Sequence, residues 1–191
     1  MSLGEFKLIG MSIFATIFLT LILFGFVLFH LAQALRFRSA RARLDQLCAE
    51  FLKQLDGRME LVKRLKSQLT EWRAEGKHEI LLKEVEASLG HVRFVSSVVG
   101  PRDRRSLNGL RCAEQGLTIA CAAVLREVEQ GSFECTLLAR ELFDMERELN
   151  LAKFAYNQQA RVVEELVETN MVLKAVYQKS AWPQFEINSI V

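Results

Sequence analysis

From Leu8 to Phe29 the chain carries no charged residue and is dominated by Leu, Ile and Phe. A bilayer core is crossed by about 20 such residues in one helix. The stretch therefore predicts a transmembrane span, with Leu8, Phe14, Leu21 and Phe29 as anchor positions. The competing reading is a cleaved leader, because Ala32-Gln33-Ala34 resembles a small-residue cleavage site and Lys7 supplies a basic start. Signal cores usually run only ~7–15 residues, and here arginines come at once, so a retained anchor is expected.

Those arginines, Arg36, Arg38, Arg41 and Arg43, face only Lys7, offset by Glu5, on the other side of the apolar run. The bias places the short amino terminus outside and the rest of the chain in the cytoplasm. The same arginines can meet anionic headgroups at about 1 kcal/mol each, although stopping transfer accounts for them equally well.

The chain beyond the anchor is the size of one ordinary domain. Lys and Arg number 25 against 23 Asp and Glu, so no overall field favours nucleic acid or an acidic substrate. With only two prolines, almost nothing interrupts a helix. Apolar positions recur in steps of three and four at Cys48, Phe51, Leu55, Val62, Leu65, Leu69 and Trp72, and Gly76 offers a stop. A second stripe runs through Leu81, Leu82, Val85, Leu89, Val92 and Val95 and ends near Val99, before Gly100-Pro101. A third starts around Leu107 and keeps Leu110, Leu117, Cys121, Val124 and Val128 on one face up to Gly131. A fourth, from about Glu134, carries Leu138, Leu142, Met145, Leu149, Ala152, Tyr156, Val163 and Leu166.

The expected fold is all-α: an N-terminal single transmembrane helix over residues 1–35, then an antiparallel bundle of about four long helices over 36–175. Counting directions returns the chain towards the bilayer, so residues 176–191, with Tyr177, Trp182, Phe185, Ile187 and Ile190 around Pro183, are expected at the base of the bundle or against the headgroups.

No reaction centre is legible. Glu75 and His78 have the spacing of one di-iron ligand pair, but such a site needs that pair twice, and His91 has no Glu three residues before it. His78-Glu79 begins like a zinc-protease motif, but Leu82 occupies the second histidine's place. Cys48, Cys112, Cys121 and Cys135 lack the close paired spacing of a zinc or redox site. The run Arg102-Asp103-Arg104-Arg105 reads as a solvated loop, since no aromatic residues interleave it to suggest nucleic-acid binding. No phosphate loop or nucleophile elbow occurs. The expectation is no enzyme, no cofactor, no metal and no nucleic acid.

Several segments in order resemble the LemA family of bacterial membrane-anchored helical proteins. They are Asp56 to Leu65, which includes Arg58, Leu61 and Leu65; His78-Glu79 opening the second helix; Glu146 to Asn157, ending on Tyr156-Asn157; and Ala181 to Glu186, with Pro183 and Phe185. Lys63 stands where the family usually has Pro, and the stretch from Val98 to Glu134 lies outside the resemblance. The resemblance implies an outward amino terminus, one span and a cytoplasmic helical domain in the bacterial inner (cell) membrane. It implies no reaction, and links the chain to membrane organisation or signalling; a relative takes part in building magnetosome membranes.

Tyr156 falls on the apolar seam, and Asn157 beside it is expected to satisfy a buried polar neighbour. Arg58 falls on the inward stripe of the first helix, where a charge needs a partner, and Glu146 or Glu148 on the antiparallel fourth helix can supply one. The functional expectation is a membrane-tethered scaffold or adaptor, with the lipid bilayer, unidentified proteins and a homo-oligomer as its partners. The alternative is a ligand-sensing or signalling accessory subunit that binds within the helical bundle.

Overall fold

The structure, a computed structural model, describes residues 3–71, 77–99, 104–128, 133–177 and 182–185. Every regular element among them is a helix: α1 (Leu3–Glu71), α2 (Lys77–Val98), α3 (Arg104–Val128), α4 (Phe133–Thr169) and α5 (Met171–Val176). With no proline before Pro101 to break it, α1 runs unbroken for 69 residues, roughly 100 Å at 1.5 Å per residue.

This one helix has two environments. No residue from Phe14 to Leu35 is buried, although Phe14, Leu21, Phe29 and most of their neighbours are large and apolar. A helix that is apolar all round is stable only within protein or lipid, and none of the described residues packs over this one. It is the one stretch among the described residues long and apolar enough to cross a membrane. Burial then starts at Phe37 and continues through Leu44, Cys48, Phe51, Leu55, Val62 and Leu65 at helical spacing.

That buried stripe packs along α4, while α2 packs along α3, with lighter contacts between α1 and α2 and between α3 and α4. Ala40 meets Gln159, Arg58 meets Glu146 and Arg64 meets Glu141; the descending order shows that α1 and α4 run in opposite directions. Gly57 belongs to this contact, since a Cβ there would meet Met145 Cε at 3.3 Å, and its absence lets α4 approach closely beside Arg58. A single apolar core joins residues of all four long helices with Trp182 and Phe185 of the tail.

Several expectations change. Arg104 and Arg105 lie in the first turn of α3 and not in a loop. The last long helix stops at Thr169, because the side chain of Asn170 accepts hydrogen bonds from the backbone N–H groups of Val172 and Leu173 at 3.0 and 3.2 Å and so caps a separate α5. Arg41 Nη1 donates to Tyr177 Oη at 3.1 Å, and the guanidinium lies over the same ring. Arg36, Arg38 and Arg43 remain exposed.

The tail doubles back on the body. Trp182 N–H donates to Glu164 Oε1 at 2.6 Å, and Phe185 reaches further along α4 to Asn157. Phe185 also stacks on Phe51 of α1, which puts it roughly 30 Å along the helix beyond Phe29. Trp182 and Phe185 therefore lie against the helices. Trp72, Glu75, Gly76, Gly100, Pro101, Arg102, Asp103, Gly131, Ile187 and Ile190 lie outside the described residues.

Candidate functional site

The most unusual chemistry lies in the middle of the body. Arg58 on α1, Glu114 on α3, and Glu146 and Lys153 on α4 are all buried, together with Thr118 on α3. All three guanidinium nitrogens of Arg58 are engaged. Nε lies 3.0 Å from Glu146 Oε2, Nη1 donates to Glu114 Oε1 at 2.9 Å, and Nη2 donates to Thr118 Oγ1 at 3.0 Å. Lys153 Nζ sits 2.8 Å from the same Glu114 Oε1, to which Thr118 Oγ1 also donates at 3.0 Å. Two cations and two carboxylates balance, which is what allows four charges to leave water together.

Each member stands on an inward face. Glu114 follows Leu110 by one turn and precedes Leu117; Lys153 falls between Leu149 and Tyr156 in the same way. Arg58 meets three side chains from separate nitrogens, two through hydrogen bonds and one as an ion pair, which a single lysine ammonium could not reproduce. The cluster links α1 to α3, which do not otherwise pack side by side, and α3 to α4. None of the five residues is more than 5% exposed, and their contacts bridge three helices.

Burial pushes the Glu146 carboxyl above the ordinary 4.5, against the pull of Arg58 and Lys153 and with help from Glu114. Both of its carboxylate oxygens are buried without a hydrogen-bond partner among the described residues, Oε2 meeting Arg58 only as an ion pair. A carboxyl with a raised folded pKa favours the folded state below the ordinary value, and that contribution is lost as pH rises through the raised one. The thermal midpoint of the native chain should therefore fall relative to that of Glu146→Gln as pH goes from about 4 to about 8. Midpoints that stay parallel across this range would contradict the assignment.

Cys121 borders the cluster, and burial pushes its thiol up to about 11; burial, helped by Asp45, does the same for Cys48. Both stay protonated at neutral pH, and a thiol is a poor nucleophile and a poor metal ligand. No group of three His, Cys, Asp or Glu side chains arranged to hold a metal occurs among the described residues.

A second constellation pins the tail. Asn157 Nδ2 donates to the Phe185 carbonyl at 2.7 Å, and Phe185 N–H donates back to Asn157 Oδ1 at 2.9 Å. The Phe185 ring sits edge-on to Tyr156, and Pro183 beside it is buried.

The residues singled out in the sequence thus separate into groups. Arg58 and Glu146 meet, as expected, while Glu148 is exposed. Tyr156, Asn157, Pro183 and Phe185 come together at the tail. Leu61 and Leu65 pack in the core, and Glu79 pairs on the surface with Lys83 at 2.8 Å; His78 lies in α2. Glu114, Thr118 and Lys153 were not anticipated, although each interrupts an apolar stripe at its own helical spacing.

A groove of about 620 Å³ lies between α1 and α2, lined by Met59 and Leu89 among others. Its rim carries the Lys63–Glu60 and Lys66–Glu86 pairs.

Fold and site together define a class: an all-helical protein with one membrane-length apolar helix and a closed ionic core. No protein-family model, curated protein or solved structure was found to match the chain.

Proposed function

We propose that the chain is a single-pass membrane protein whose body, an antiparallel bundle of about four helices, acts as a non-enzymatic scaffold or adaptor in membrane organisation or signalling. The observation that carries this reading is α1 itself. One uninterrupted helix leads from exposed apolar residues at Phe14–Leu35 into the core that starts at Phe37, so the body is held rigidly to its anchor. The interior is filled by side chains and a neutral ion cluster, which leaves the outer surface for contacts. The exposed Arg36, Arg38 and Arg43 support a cytoplasmic body. The resemblance to the LemA family points to the bacterial inner membrane and to the same kind of role.

Mild-detergent purification of the full chain, with mass spectrometry of the eluate, tests it. A scaffold brings down the same proteins at constant ratio, and these remain with a chain carrying Lys63→Ser and Lys66→Ser in the groove. The groove favours a second reading, a ligand-sensing accessory subunit, in which a small molecule raises the melting temperature and these two substitutions abolish the rise. That outcome, without co-purifying proteins, would replace the scaffold reading.

A further inference from the structure

α4 carries apolar residues on two opposite faces. One, through Leu142, Leu149 and Tyr156, is buried. The other carries Phe143, Leu151, Phe154 and Val162, which are 46%, 64%, 52% and 43% exposed. At 100° per residue these four fall within about a third of the helix circumference, pointing away from the core. Arg140, Asp144, Arg147, Gln158, Arg161 and Glu165 fall in the same arc, so apolar and polar side chains alternate along this face.

The charges along the stripe say what covers it. We propose that this stripe docks on the same stripe of a second copy of the chain, running antiparallel and anchored in a facing bilayer. If Leu151 is set against Phe154 of the second copy, two-fold symmetry fixes every other pairing. Phe143 then meets Val162. Arg140 meets Glu165, Asp144 meets Arg161, and Arg147 meets Gln158; all six polar residues are exposed, and Arg161 also donates through Nη2 to Gln184 Oε1 of the tail at 3.5 Å. Sliding by one heptad in either direction sets Asp144 against Phe154 or against Glu168. A parallel pair instead places Arg140, Asp144, Arg147, Arg161 and Glu165 each against its own copy, which is repulsive throughout.

Membrane geometry decides where such a pair can form. Two chains inserted the same way into one bilayer have parallel α4 helices, whereas chains in facing bilayers present them antiparallel. The level of Leu151 and Phe154 on α4 lies between the Ala40–Gln159 and Arg58–Glu146 contacts, close to the midpoint of α1 between Phe29 and Glu71. The two bodies therefore overlap along their whole length and span a gap on the order of 60 Å. One helical stripe is a small interface, so the contact is weak singly and gains strength from many copies on each surface.

The inference rests on the scaffold reading and names one of its partners. The test uses full-length protein with Cys112→Ser and Cys135→Ser, reconstituted in phosphatidylcholine vesicles, which offer no anionic headgroups to the arginines. Vesicles carrying Phe143→Cys mixed with vesicles carrying Val162→Cys are expected to give a cross-linked heterodimer on mild oxidation, while Phe143→Cys vesicles alone give none. Vesicle clustering, read by light scattering, should be lost with Asp144→Arg and regained with Asp144→Arg plus Arg161→Asp. Cross-linking of Phe143→Cys with itself, absence of the mixed cross-link, or failure of the double variant to restore clustering overturns the proposal. Loss of these signals while other proteins still co-purify overturns the pairing and leaves the scaffold reading standing.

Discussion

Replacing Arg58 by alanine is expected to lower the stability of the body by about 3–5 kcal/mol, because Glu114 and Glu146 are then left buried facing Lys153 alone. In a domain of this size that lowers the thermal midpoint by about 10 °C or more. Circular dichroism melting of the detergent-solubilised chain reads it directly. Arg58→Lys should recover only part of the loss, since one ammonium cannot meet Glu146, Glu114 and Thr118 from separate nitrogens. Replacing all four charges together, Arg58→Met, Glu114→Leu, Glu146→Leu and Lys153→Met, is expected to cost little or even to stabilise, because the desolvation of four ions disappears along with their pairing. A midpoint for Arg58→Ala within a degree or two of the native one would mean that the cluster is solvated and not closed.

The second large effect is expected at Phe185. Its ring is buried between Phe51 and Tyr156, and a Phe→Ala change in such a setting costs about 3–5 kcal/mol. Asn157→Ala acts on the same contact by another route: it leaves the Phe185 N–H and C=O without their partners, for about 1–3 kcal/mol. Because both act through the docked tail, their effects should overlap and not add. Hydrogen exchange at residues 182–185 would then rise in either variant while α2 and α3 stay protected. Additive losses, or unchanged exchange in the tail, would show that the tail is held by something else.

The parts of this architecture that were legible in the sequence are those set by local period. The apolar run to Phe29, the stripes of α1 to α4, and the helix ends near Val98 and Phe133 arise from spacing and breakers. The Arg58–Glu146 pair could also be read, because a charge on an apolar stripe needs a partner and an antiparallel neighbour supplies one. Glu114 and Lys153 went unread for a related reason. Counting only apolar positions passes over a charge that sits at the same spacing, and its burial becomes visible only when three helices bring opposite charges to one point.

For the tail, folding against the bundle was one of two expectations, but the contact that holds it was not legible. Phe185 and Asn157 recognise one another through a backbone amide and a side-chain amide far apart in the chain, and no local pattern encodes that reversal. Likewise the break at Asn170 depends on a side chain that caps α5 instead of continuing α4, a choice that propensity alone does not settle.

Membrane anchorage by α1 is tested most directly by fractionating cells that express the full chain, extracting the membranes with alkaline carbonate and measuring the intact mass of the protein that stays behind. An anchored chain remains in the pellet with residues 1–35 present, and a cysteine introduced at Ala49 or Glu50 is labelled by an impermeant reagent only after the inner membrane is opened. A soluble protein whose mass lacks those leading residues would contradict the anchor, and with it the rigid coupling of body to bilayer.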